Sequence, residues 1–305
     1  MRSTRRSHGS SSIGYSRTVM HTKCRATNGA VRATSGVLAL IMVIVVIVAV
    51  CLTARPRAQG AYDQVLDVYV RDGYVYYRAL KADRAKLDGY LATVATTTID
   101  TAPRDEQLAF WLNAYNAVVL RTIVDRYPIP LRTTQYPPHS IRQIPGAFER
   151  LQHKVAGRMV TLDQIEQTVL AAFHDPRAYL ALGRGAVGGG RLRSEAFTAA
   201  RLEAQLKEVA DECVSRPECV QLDRASNTLN VSSIFSWREK EFSAAHAGAT
   251  PAAFADRSPI ERAVLAIVEP KLLTTEREAL AKNDFKMVYK AFDWSLNDLT
   301  GRGGR

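Results

Sequence analysis

RDEQLAFWLNAYNAVVLRTIVDRY, residues 104–127, carries the strongest helical pattern in the chain. Leu108, Leu112, Tyr115, Val119 and Ile123 recur at helical spacing and form one stripe. Phe110, Trp111, Ala114 and Val118 add apolar surface beside it, which predicts a helix buried nearly all round. Pro128 and Pro130 end it. Such a helix needs other elements on every side, so the fold is expected to be built around it. Asn113 and Asn116 sit three residues apart on it, two amides in a predicted core. A buried amide without a partner costs about 1–3 kcal/mol, so both must find one. They either brace neighbouring loop backbone or line a pocket with Tyr115.

Weaker signals extend in both directions. Residues 61–95 read as two helices around a turn at Arg71-Asp72-Gly73, the second centred on 80–91. Residues 97–103 are a loop, and 128–146 hold five prolines in an irregular connection. A short strand is predicted over 158–162, a helix over 163–173 and a buried strand over 178–182. A glycine-rich loop follows, then a helix over 194–214. Residues 220–222 and 228–231 read as a hairpin about Arg224-Ala225-Ser226-Asn227. Helices over 259–268 and 275–281 and a strand over 286–291 complete an α+β domain, a single mixed helix and sheet unit over 61–300.

The 305 residues are 47% hydrophobic and 23% charged, so wholesale disorder is excluded. The net charge of +11 belongs mostly to residues 1–60, which hold nine Lys and Arg and no acid. Residues 61–305 carry 32 basic against 30 acidic residues, too even for a nucleic-acid-binding face. Residues 1–36 read as a disordered basic tail. VLALIMVIVVIVAVCLTA, residues 37–54, is 18 residues without a charge, long enough to cross a bilayer. Seven of the nine basic residues precede it, which puts the N-terminus in the cytoplasm and the domain outside. The span reads as a transmembrane helix or signal-anchor, with 55–60 as a linker. Cleavage near Gly60 would instead release a secreted domain.

Several phrases together resemble the family called domain of unknown function 547. They are Tyr62-Asp63-Gln64-Val65-Leu66, Gly73-Tyr74-Val75-Tyr76-Tyr77, and the run from Ala109 to Ala117. Ser140-Ile141-Arg142, Leu162-Asp163-Gln164-Ile165-Glu166 and Asp175-Pro176-Arg177 follow in order. Phe235-Ser236-Trp237 and Asp293-Trp294-Ser295-Leu296-Asn297 close the series, so the resemblance runs from about 61 to 298. It implies a domain rather than a reaction. Typical members carry a His soon after Asp-Pro-Arg, a Cys past the next apolar stretch, and a second Cys before two prolines. That pattern invites a thiolate activated by imidazole. The matching positions here are Tyr179, Arg184, Gly189, Gly190 and Arg191, so neither thiol nor imidazole is present to act there.

Other chemistry must then be sought. Gly183-Arg184-Gly185-Ala186-Val187-Gly188 spells a dinucleotide fingerprint, but no opening strand–helix–strand unit surrounds it. More broadly, a glycine loop before a helix aims backbone N–H groups outward, and Arg184, Arg191 and Arg193 would add charge for an anion. The alternative is a plain surface loop. Glu166, Asp175 and Arg177 form either a structural ion cluster or an acid–base pair of carboxylates with a substrate-binding arginine. Arg142 joins the ligand-binding set. Trp111 and Trp294 read as core. His139, His153, His174 and His246 lack ligand spacing, so no metal and no cofactor are expected. Outside the cytoplasm, Cys213 and Cys219 would close a short disulfide loop.

The expectation is a membrane-anchored extracytoplasmic domain that binds an anionic small molecule or envelope polymer. Its rivals are a hydrolase or transferase acting on envelope material through Glu166 or Asp175, and a scaffold whose glycine loop merely packs.

Overall fold

The computed structural model describes residues 57–300, within one unit spanning 55–305. The tail expected over 1–36 and the span over 37–54 lie outside the described residues. Helix α1 (Arg57–Tyr69) begins inside the stretch read as linker. It runs into a two-residue hairpin, β1 (Val70–Arg71) and β2 (Tyr74–Val75), turned by Asp72 and Gly73 at positive φ. The second predicted helix is two: α2 (Tyr77–Ala82) and α3 (Ala85–Thr96). Leu80, Leu87, Tyr90, Leu91 and Val94 turn inward from them.

Helix α4 (Arg104–Val124) is the centre of the molecule. Asp105 and Glu106 occupy its first turn, where carboxylates complement the helix dipole. Every residue from Trp111 to Leu120 on it is buried, including both amides. The proline-rich connection follows, and Ser140 caps a single 3-10 turn at Ile141–Gln143. Strands β3 (His153–Val155) and β4 (Arg158–Val160) pair antiparallel.

The predicted helix over 163–173 is present but irregular. A capping box between Thr161 and Gln164 opens α5 (Leu162–Gln164). The chain then widens into a π turn at Ile165–Val169, where Leu170 N donates to the Ile165 carbonyl at 2.9 Å. The wider turn lets two consecutive residues, Ile165 and Glu166, both face the interior.

The strand expected over 178–182 is instead helix α6 (Arg177–Leu180). A five-residue apolar run fits a buried strand or a buried helical turn equally well. Asp175 decides it, because its carboxylate accepts from Arg177 N at 3.1 Å and starts a turn. Helix α7 (Leu202–Ser215) begins eight residues later than the pattern suggests, after a 3-10 turn at Ala199–Arg201.

The hairpin, two of the four helices after it and the last strand agree closely with the sequence. Strands β5 (Val220–Asp223) and β6 (Thr228–Ser232) form the hairpin. Helices α8 (Ser233–Trp237), α9 (Glu239–His246), α10 (Pro259–Val268) and α11 (Thr274–Ala281) follow. Strand β7 (Lys286–Lys290) pairs parallel to β6, giving a three-stranded sheet in the order β5, β6, β7. Helices with small separate sheets make the fold α+β. Among the described residues no helix is long and apolar enough to cross a membrane.

Candidate functional site

The π turn delivers Glu166 under the glycine loop. There its Oε1 accepts from Arg184 Nη2 at 2.8 Å and from Arg238 Nη2 at 3.0 Å. Its Oε2 accepts from the Tyr115 hydroxyl at 3.2 Å. Arg184 is 2% exposed, and its Nη1 donates to the carbonyls of Tyr179 and Leu182. Arg238 lies over the Tyr179 ring, 4.5 Å from its centroid, and also faces Glu241 at 3.7 Å. Four elements distant in sequence therefore converge on one carboxylate.

Burial alone would favour the neutral acid. The guanidinium of Arg184, followed by that of Arg238, outweighs it and holds the Glu166 carboxyl below the usual carboxylate range. Glu166 raises Arg184 in turn, against its own burial. Burial, then Glu166, pushes the Tyr115 hydroxyl well up, so it stays a proton donor. The cluster is ionised and nearly closed to solvent.

The glycine loop owes its composition to contact. A Cβ on Gly189 would stand 2.1 Å from the Gly183 carbonyl oxygen, and one on Gly190 would stand 1.8 Å from that of Leu180. Gly190 N donates to the Leu182 carbonyl, and Val187 N and Gly188 N donate to the carbonyls of Ser295 and Asp293. The space left between this loop and α7 is about 10 Å³, room for one water at most. Arg184 itself takes the left-handed conformation at φ +51 that turns its side chain inward.

The residues singled out from sequence separate into several places. Asn113 closes both bonds with the Phe197 backbone, at 2.8 and 2.9 Å. Asn116 bridges the Ala181 carbonyl and Gly183 N, at 3.1 and 3.0 Å. Both amides thus brace loop backbone, and Tyr115 turns to Glu166 rather than joining them. Arg191 bonds Asp72 at 2.6 Å and Glu212 at 3.4 Å. Arg193 bonds Glu195, Glu208 and Glu212. The arginines expected to gather an anion are each matched by protein carboxylates, because the loop folds back onto acidic side chains instead of facing solvent. Asp175 and Glu203 share Arg177, with four contacts of 2.8–3.0 Å. Glu166 and Asp175 are therefore held by different arginines. Cys213 and Cys219 are joined in a disulfide, their Cα atoms 5.2 Å apart. Among the described residues no group of His, Cys, Asp and Glu is placed to hold a metal. An open groove of about 620 Å³ runs elsewhere, along β5 and past Leu272 and Leu273, and takes in none of these residues.

Three participants escaped the sequence reading. Arg238 follows the Phe-Ser-Trp phrase, but its partner lies 72 residues away. Asp163 sits beside Arg142, Glu149, Glu166 and Arg238, and makes no hydrogen bond or ion pair through its carboxylate among the described residues. Burial, then Glu149 and Glu166, raises its pKa. Trp237 is 46% exposed and packs against Phe292 and Trp294, so Trp294 belongs to a surface cluster as well as to the edge of the core.

No curated protein and no solved structure matches the chain. Residues 99–214 match the family model described as protein of unknown function, DUF547. That span is narrower than the 61–298 over which the phrases resemble the family. It includes Asp163, Glu166, Arg184 and the glycine loop, and stops before Trp237, Arg238 and Trp294. Over residues 99–214, from the helix that organises the core to the carboxylate beneath the loop, the chain is similar to the domain of unknown function 547 family.

Proposed function

We propose that residues 61–300 are a binding module held at the outer face of the cell membrane by residues 37–54, acting on a cell-envelope ligand without thiol catalysis. The observation that carries this reading is the state of Glu166. A carboxylate ionised between two arginines and a tyrosine is a poor nucleophile and a poor proton carrier. It fills the region where the family resemblance would seat a thiol and an imidazole. The Cys213–Cys219 disulfide supports an oxidising compartment. The charge bias around 37–54 supports the orientation. The loop arginines are committed to carboxylates, so the ligand is sought away from the loop.

The test is protease accessibility of the full chain in intact spheroplasts. Externally added protease is expected to degrade residues 61–300 while an epitope placed in residues 1–36 survives. A domain protected until the membrane is lysed overturns the reading. A hydrolase or transferase using carboxylates is the second reading. Asp163, its pKa raised and its carboxylate without a hydrogen bond beside ionised Glu166, is the observation that favours it. Release of soluble fragments from envelope polysaccharide, abolished by Asp163→Asn, would establish it.

A further inference from the structure

We propose that Trp237, backed by Phe292 and Trp294, forms a carbohydrate-binding platform, with Arg142 and Glu149 as its polar rim. This deepens the envelope-binding reading by naming the ligand class, an uncharged oligosaccharide, and rests on it. Helix α8 sends two aromatic residues in opposite senses: Phe235 is fully buried, while Trp237 remains 46% exposed. Leaving an indole in water forfeits hydrophobic stabilisation unless something covers it. Trp237 does not stand alone. Its ring lies 4.9 Å from Phe292 and 6.3 Å from Trp294, tilted only 20° from the latter. Phe292 and Trp294 are 4.4 Å apart.

The platform is braced from below. The Arg142 guanidinium lies 4.5 Å from both the Phe148 and the Trp294 ring centroids and is bonded to Glu149. The carbonyls of Asp293 and Ser295, on either side of Trp294, are pinned by the glycine loop. Rigid rings lose little conformational freedom on binding. The flat C–H face of a pyranose ring suits such a surface, and its hydroxyls need acceptors and planar donors at the margin. Arg142, against the Trp294 ring, and Glu149, bonded to it, supply a guanidinium and a carboxylate. The same rim argues against a membrane surface, since anionic lipid repels carboxylates and favours clustered Lys and Arg. Three rings also fall well short of the area that a stable protein interface buries.

Tryptophan fluorescence reads the site directly. The chain has three tryptophans; Trp111 is 1% exposed in the core, so a ligand-induced change reports Trp237 and Trp294. Full-length protein in a sugar-free detergent is titrated with cellohexaose and with chitohexaose. A saturable change with at least one sugar is expected. Trp237→Ala should weaken it about tenfold or more, Trp237→Phe should retain most of it, and Tyr76→Ala, exposed elsewhere, should leave it unchanged. Binding of equal strength in Trp237→Ala overturns the platform and leaves the envelope-binding reading standing. No response to either sugar at millimolar concentration overturns it too, and the protease experiment then decides the envelope reading separately. A response to anionic phospholipid vesicles in place of the sugars overturns it in favour of a membrane-facing patch.

Discussion

Asp163 and Glu166 are three residues apart on one irregular turn, and their surroundings treat them oppositely. Glu166 is almost wholly out of water, yet two arginines and a tyrosine hold it ionised. Asp163 is only half-buried, yet its carboxylate has no hydrogen-bonded partner, and burial, followed by Glu149 and Glu166, pushes its proton affinity up. Burial raises both carboxyls; only at Glu166 do matched donors outweigh it. The same division separates the two faces of the glycine-loop region. Beneath the loop every charge is matched and no room remains. Beyond it, Trp237 stays 46% exposed.

The largest expected effect tests the sealed side. Glu166→Ala removes the common partner of Arg184 and Arg238 and leaves a guanidinium at 2% exposure uncompensated. A loss of about 3–5 kcal/mol is expected, measured by denaturant unfolding of the full chain in detergent. A loss below about 1 kcal/mol would mean that water reaches the cluster, and the contrast with Asp163 would collapse. Gly190→Ala comes next. Its methyl group would overlap the Leu180 carbonyl, and a destabilisation of about 1–3 kcal/mol or more is expected. A neutral outcome in a thermal melt would show that the loop is free to lift.

Acid sharpens the comparison with a sign. Because Glu166 has a lowered pKa in the folded state, its contribution is present above the ordinary carboxylate range. It is lost as pH falls through the folded value. The stability gap between the native protein and Glu166→Gln should therefore close only in strong acid. Asp163 runs the other way: its raised pKa means that ionisation is disfavoured by folding. Asp163→Asn should stabilise the protein near neutral pH, by a few tenths of a kcal/mol once solvent screening is allowed for. That gain should vanish as the pH falls below the raised value. A loss of stability at pH 7 would instead reveal an ion pair through Asp163.

Helix α4 was legible because its pattern is local and long, and burial all round follows from apolar residues on every face. The hairpin at β5 and β6 was legible for the same reason, as alternation around a turn needs no distant partner. The run over 178–182 misled because five apolar residues fit either geometry, and the choice rested on a hydrogen bond from Arg177 N to Asp175. The glycine loop misled differently. Glycine is equally suited to exposing backbone to an anion and to letting backbone approach backbone, and the deciding contact, with Leu180, is tertiary.

The sequence by itself determined a likeness to the 547 family over residues 99–214, the α+β class, the central helix with its two amides, and the nearly even charge of the domain. Each of these resides in composition or in spacing along a few turns. Only the tertiary structure decided what the charged residues do. It joined Glu166 to Arg184 and Arg238, left the Asp163 carboxylate without a hydrogen bond, committed the loop arginines to carboxylates, and gathered Phe292 and Trp294 against the exposed Trp237. An ion pair depends on distances between residues that the chain keeps 18 or 72 positions apart. Their energies depend on the water that folding removes, and neither quantity can be read from residue order.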